Sequence, residues 1–93
     1  MIVSYANKET EKLADGFRVR KFEAIARAAQ KKLVILAAAA ALDDLQVPPG
    51  NHLEALAGDR KGQHSIRIND QYRICFKFEE HQAYDVEIVD YHS

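Results

Sequence analysis

A single cysteine, Cys75, stands among the 93 residues. An internal disulfide is excluded, and a reducing compartment is the natural setting. Neither sign of charge is in excess: 13 Lys and Arg against 14 Asp and Glu leave a formal net charge of −1. A total so near zero lacks the basic bias of a typical nucleic-acid binder, and a partner's sign must be read from where the charges sit. Long apolar runs are missing too. The most apolar stretch, residues 33–42, is about half the ~20 residues of a membrane span. No basic segment followed by an apolar run opens the chain, so no signal peptide and a cytoplasmic location are expected. The histidines His52, His64, His81 and His92 do not fall at a zinc spacing. Gly58 and Gly62 do not make a nucleotide-binding loop, since no Ser or Thr follows Lys61. No metal or cofactor is implied.

What is present is ordinary for a globular chain: 47% apolar and 29% charged residues. The length fits one domain, 1–93, without internal repeats. Ile2–Tyr5 reads as a strand. Asn7 is placed to cap a short helix over Lys8–Asp15, with Gly16 as its stop. From Lys21 to about Ala41, Phe22, Ile25, Ala29, Leu33, Leu36 and Ala40 recur at three- and four-residue steps and predict one long amphipathic helix. Arg27, Lys31 and Lys32 fall on its other side. Val47-Pro48-Pro49-Gly50-Asn51 ends the helical part, and 51–63 reads as a loop anchored by Leu53 and Leu56. Three strands follow: His64–Ile68, Gln71–Phe78 and Ala83–Tyr91. Turns are expected at Asn69-Asp70 and Glu79–Gln82. The fold class is α+β, β-α-α-β-β-β, with helices on one face of an antiparallel meander in two layers.

Alternation sorts the strand side chains. Ile66, Ile68, Tyr72, Ile74, Phe76 and Phe78 take the core face, and Tyr84, Val86 and Ile88 are the expected core set of the last strand. Arg67, Arg73, Lys77 and Tyr91 take the other face, which is cationic and aromatic although the whole chain is neutral. Such a face suits phosphate. RNA can be cut without a metal when a base takes the 2′-hydroxyl proton, an acid protonates the leaving oxygen and a cation holds the charge on the phosphoryl oxygens. Arg73 with Arg67 beside it offers the guanidinium fork that phosphate prefers. His92 titrates near neutrality, Tyr91 can stack on a base or donate a proton if its pKa is lowered, and Asp90 can orient His92. Arg60 and Lys61, on a glycine-flanked loop, are placed to reach the backbone. Taken one at a time, each of these is more often a solvated side chain. Residue chemistry alone stops at a small α+β protein with a basic sheet face.

Two blocks narrow that. GDRKGQHSIRINDQYRICF (58–76) and VEIVDYH (86–92) resemble the HigB-type toxins of type II toxin–antitoxin pairs, within the RelE/ParE superfamily. The resemblance extends to the opening strand, the alanine-rich helix and its PPGN exit (48–51), and is similar to the milder branch called GraT. It implies a ribosome-dependent endoribonuclease that cuts translated mRNA. It also implies a HigA-like helix-turn-helix antitoxin, and operator DNA bound only through that antitoxin. Matching positions implicate Arg73 as phosphate clamp, Tyr91 as stacker or proton-transfer group, and Asp90 and His92 in proton movement. Arg60, Lys61, Arg67 and Lys77 are then the expected RNA contacts. The chain departs from some members in carrying Glu54 and Ala57 where they have a histidine and a lysine. Slower or more selective cleavage is expected. The alternative is a non-catalytic or ParE-like toxin, acting on another target such as a topoisomerase or as a co-repressor with its antitoxin.

Overall fold

A computed structural model describes residues 1–91. His92, expected at the site, lies outside them. Helix α1, Lys8–Ala14, begins as the sequence predicts, because Asn7 Oδ1 accepts from the Thr10 backbone N–H at 2.9 Å. It buries Thr10 and Leu13. The long amphipathic stretch divides into a 3-10 segment, Arg20–Ile25, and helix α2, Ala26–Ala38. Phe22, Ile25, Ala29, Leu33 and Leu36 are buried as the stripe predicts, but Ala40 is exposed and Ala39 is buried instead, because the helix has already ended. The helix stops at Ala38, short of the end of the alanine run. Asp44 Oδ2 accepts from the N–H groups of Ala40 and Ala41, at 2.9 and 3.0 Å. This side-chain competition outweighs alanine's helix propensity and sets up a separate 3-10 turn, Leu42–Gln46.

Four antiparallel strands follow in spatial order β1-β2-β3-β4: Glu54–Ala55, His64–Arg67, Tyr72–Glu79 and Gln82–Asp90. The class is α+β, with helices preceding an antiparallel sheet. Ile66, Ile74, Phe76, Val86 and Ile88 meet α2 and Leu45 in the core. β1 stands where the sequence predicts a loop. It is two exposed residues long, pairs Glu54 with Ser65 and Ala55 with His64, and has no apolar alternation to announce it.

The turn between β2 and β3 is longer than two residues, with Arg67 opposite Arg73. Asn69 is the cause: its Oδ1 accepts from the N–H groups of Gln71 and Tyr72, at 2.8 and 2.7 Å, and folds the chain back locally. The β3–β4 turn is the tight one expected, with Glu79 paired to Gln82 and positive φ at Glu80 and His81.

β4 departs from simple alternation. Its ladder shifts register between Cys75 and Lys77, and Asp85 takes φ +52°. One extra residue enters the strand there as a bulge. Ala83 therefore joins Val86 and Ile88 in the core, and Tyr84 turns to the outer face opposite Lys77. That corrects the expected core set. The same bulge accounts for the N-terminal segment. Ile2–Tyr5 runs beside β4 but pairs only at Ile2 with Ala83 and Tyr5 with Val86, in parallel, on either side of Asp85. It is an extended segment with two isolated bridges rather than a continuous strand.

Candidate functional site

The outer face of the sheet follows from strand parity. Glu54 opposite Ser65, Ser65 opposite Cys75, Cys75 opposite Glu87, and Arg67 opposite Arg73 opposite Val89 share one side. At its end a cleft of about 400 Å³ opens between the 52–54 segment, the β2–β3 turn and the end of β4. His52, Glu54, Arg67, Asn69, Asp70, Arg73 and Tyr91 line it. Three residues singled out from the sequence, Arg67, Arg73 and Tyr91, thus share one cavity.

Arg73 is held at its base. Its Nε donates to Ser65 Oγ at 2.8 Å and its Nη2 to the backbone carbonyls of His52 and Ser65. The His52 carbonyl is aimed by the segment before it. His52 takes a left-handed conformation, φ +44°, after the 3-10 turn Pro49–Asn51. Asn51 is fully buried. Its Nδ2 donates to the carbonyls of Leu45 and Val47, at 3.1 and 3.2 Å, and its Oδ1 accepts from Lys32 Nζ. The apolar stripe of the sequence puts Lys32 on the solvent side of the helix. Here it is partly buried, and burial, with Lys31 and Arg67 nearby, lowers its pKa.

Arg67 donates from Nε to the Asn69 carbonyl at 3.1 Å and from its guanidinium to the Asp70 carboxylate. Tyr91 is 41% exposed, enough to offer a ring face, and its hydroxyl lies 3.7 Å from Cys75 Sγ. Burial, then the Cys75 contact, raises the phenol's pKa; Arg60 and Arg73 pull the other way without reversing it. Tyr91 is therefore a neutral hydroxyl at physiological pH. The lowered pKa that would make it a stronger acid is absent.

The remaining candidates lie around this cleft without lining it. Arg60 is tied to β4, both terminal nitrogens 3.2 Å from Glu87 Oε1, and also donates to Gln63. Lys61 is exposed on the loop. Lys77 is exposed further along β3, 3.5 Å from Asp85. Asp90 is exposed opposite Tyr72 and accepts from Gln71 Nε2 at 3.1 Å. Sequence reasoning missed the groups that hold the arginines. Ser65 could have been found, since it shares the parity of Arg67 and Arg73. The His52 carbonyl could not, because its aim depends on a left-handed turn.

The arrangement gives two guanidiniums and a neutral phenol on one wall, with two carboxylates, Glu54 and Asp70, beside them. It can hold an anion and present an aromatic face and a hydroxyl donor to what that anion is attached to.

Comparison with known proteins gives one family and two relatives. A family model described as HigB-like toxin, RelE-like toxin of type II toxin-antitoxin system HigB, matches residues 5–92. "Toxin HigB-1" of Vibrio cholerae is 54% identical over 48 residues, covering 52% of this chain and 50% of that protein. A Haemophilus influenzae protein named as uncharacterized is 38% identical over 63 residues, covering 68% of this chain and 61% of its own length. The matches thus span between half and about three-fifths of these relatives.

Proposed function

This chain belongs to the HigB-like family of RelE-like toxins of type II toxin–antitoxin systems, and from that membership we propose that it is a ribosome-dependent endoribonuclease that cuts translated mRNA. The observation that carries the proposal is the single cleft shared by Arg67, Arg73 and Tyr91. In this reading Arg73, with Arg67, holds the phosphoryl oxygens as the 2′-hydroxyl attacks. Tyr91 stacks on a base, and its hydroxyl, whose pKa burial raises, stays protonated as a hydrogen-bond donor to the RNA. Asp90 and His92 serve proton movement, and Arg60, Lys61 and Lys77 follow the RNA backbone. The ribosome supplies alignment of the substrate, so free RNA is cut poorly. A HigA-like helix-turn-helix antitoxin neutralises the toxin and connects it to operator DNA, and the work is done in the cytoplasm.

Mapping 5′ ends of cellular mRNA after brief induction tests this. Wild type should create new ends inside translated frames, and both Arg73→Ala and Tyr91→Ala should lose them. Because Arg73 also ties β2 to the 52–54 segment, Arg73→Lys and a thermal melt of each variant separate lost chemistry from lost fold. Cuts that persist in folded variants would move the site elsewhere. Growth arrest with an uncut transcriptome would favour the second reading, a ParE-like or co-repressor toxin, which the Glu54 carboxylate in the cleft supports.

A further inference from the structure

The cleft carries its own anions. Asp70 meets the Arg67 guanidinium, and both side chains belong to the lining of the cleft. Its position on the rim is fixed from the backbone side, since Asn69 Oδ1 holds the N–H groups of Gln71 and Tyr72 and shapes the turn on which Asp70 sits. Its side chain is not fixed in the same way. It is 96% exposed, against 35% for Arg67, so no packing is lost when it swings into water, and an exposed ion pair of this kind resists displacement only weakly. Glu54 adds a second negative charge to the lining but has no described contact with Arg67.

We infer that Asp70 is a specificity-determining residue of the cleft, an internal anionic competitor that occupies Arg67 until a phosphodiester displaces it. Resting on the nuclease reading above, this deepens it. A lone phosphate group gains little by replacing a carboxylate already in contact. A strand held in register, with its phosphodiester between Arg73 and Arg67, gains both contacts at once. Asp70 thereby penalises free, unaligned RNA more than RNA presented by the ribosome.

The test titrates the full chain, wild type and Asp70→Asn, with inorganic phosphate and with a short single-stranded RNA. The Arg67 Nε–Hε signal is followed by NMR. Asp70→Asn keeps the shape of the side chain and removes its charge. It should bind both ligands several-fold more tightly, roughly fivefold for loss of one exposed pair. It should also steepen the salt dependence of RNA binding by about 0.7 of a log unit per log unit of salt. Asp70→Ser, which lacks the carboxylate and the amide alike, should behave the same way. Unchanged or weaker binding in both folded variants would overturn the inference. If both variants bind phosphate more tightly while neither they nor wild type cut mRNA on ribosomes, Asp70's competition for Arg67 stands, and the nuclease reading falls together with the discrimination built on it.

Discussion

Arg73 has two tasks. Its Nε and one terminal nitrogen are taken up by Ser65 and the His52 carbonyl, which orients the guanidinium within the cleft. A lysine there keeps the charge and loses the planar fork. Two neighbours, Cys75 and Tyr91, carry a pH signature. Burial raises the pKa of both above their ordinary values of 9.0 and 10.0, and Tyr5 is raised as well. The folded chain keeps these protons where the unfolded chain has released them. Their contribution to stability is therefore complete below about pH 9 and is lost as pH rises through the raised folded values. Urea unfolding at about pH 8 and about pH 10.5 should show a clear fall in midpoint. Cys75→Ala should shrink that fall, and an undiminished fall in this variant would remove Cys75 from the account.

At the scale of elements, the segment from Leu45 to Glu54 was the least legible part of the chain. Its exit signal, Pro48-Pro49-Gly50, is plain in the sequence, but its folded shape depends on Asn51. This polar side chain is fully buried with donors and acceptors all engaged. Hydrophobic periodicity cannot reveal such a residue, because it is buried to satisfy backbone groups rather than to leave water. Asn51→Ala strands the carbonyls of Leu45 and Val47 and the Lys32 ammonium. It should cost about 2–4 kcal/mol, read from chemical denaturation. Because the same loop aims the His52 carbonyl at Arg73, the proposed RNA cleavage should fall even where the variant remains folded. The β2 and β3 strands were the opposite case. Their alternation alone puts Arg67 and Arg73 on one face, since parity needs no tertiary information until a bulge intervenes.

Over the whole molecule, the two-layer order and the helix stripe were legible because each core residue recurs at its element's own period. The cleft was only half legible: its cations and its tyrosine could be placed on one face. The carboxylates that nearly balance those cations depend on the turn and on the short β1. Near-neutral total charge is thus repeated within the cleft, where Glu54 and Asp70 face Arg67 and Arg73. The bulge at Asp85 acts across the molecule too, since it decides which side chains of β4 meet the helices and where the N-terminal segment can pair. Viewed as a change in sequence length rather than in geometry, Asp85 is a one-residue insertion that the strand has absorbed. Deleting it leaves Ala83, Val86 and Ile88 pointing inward and lets Tyr84 and Glu87 keep their partners Lys77 and Cys75 in an unbroken ladder, with the loss of one of the two N-terminal bridges. Deleting Glu87 instead sends Ile88 outward and carries Tyr91 away from the cleft. The shortened chain lacking Asp85 should still melt cooperatively, while the one lacking Glu87 should not. In this strand a lost codon is tolerated or ruinous according to which side of Val86 it falls.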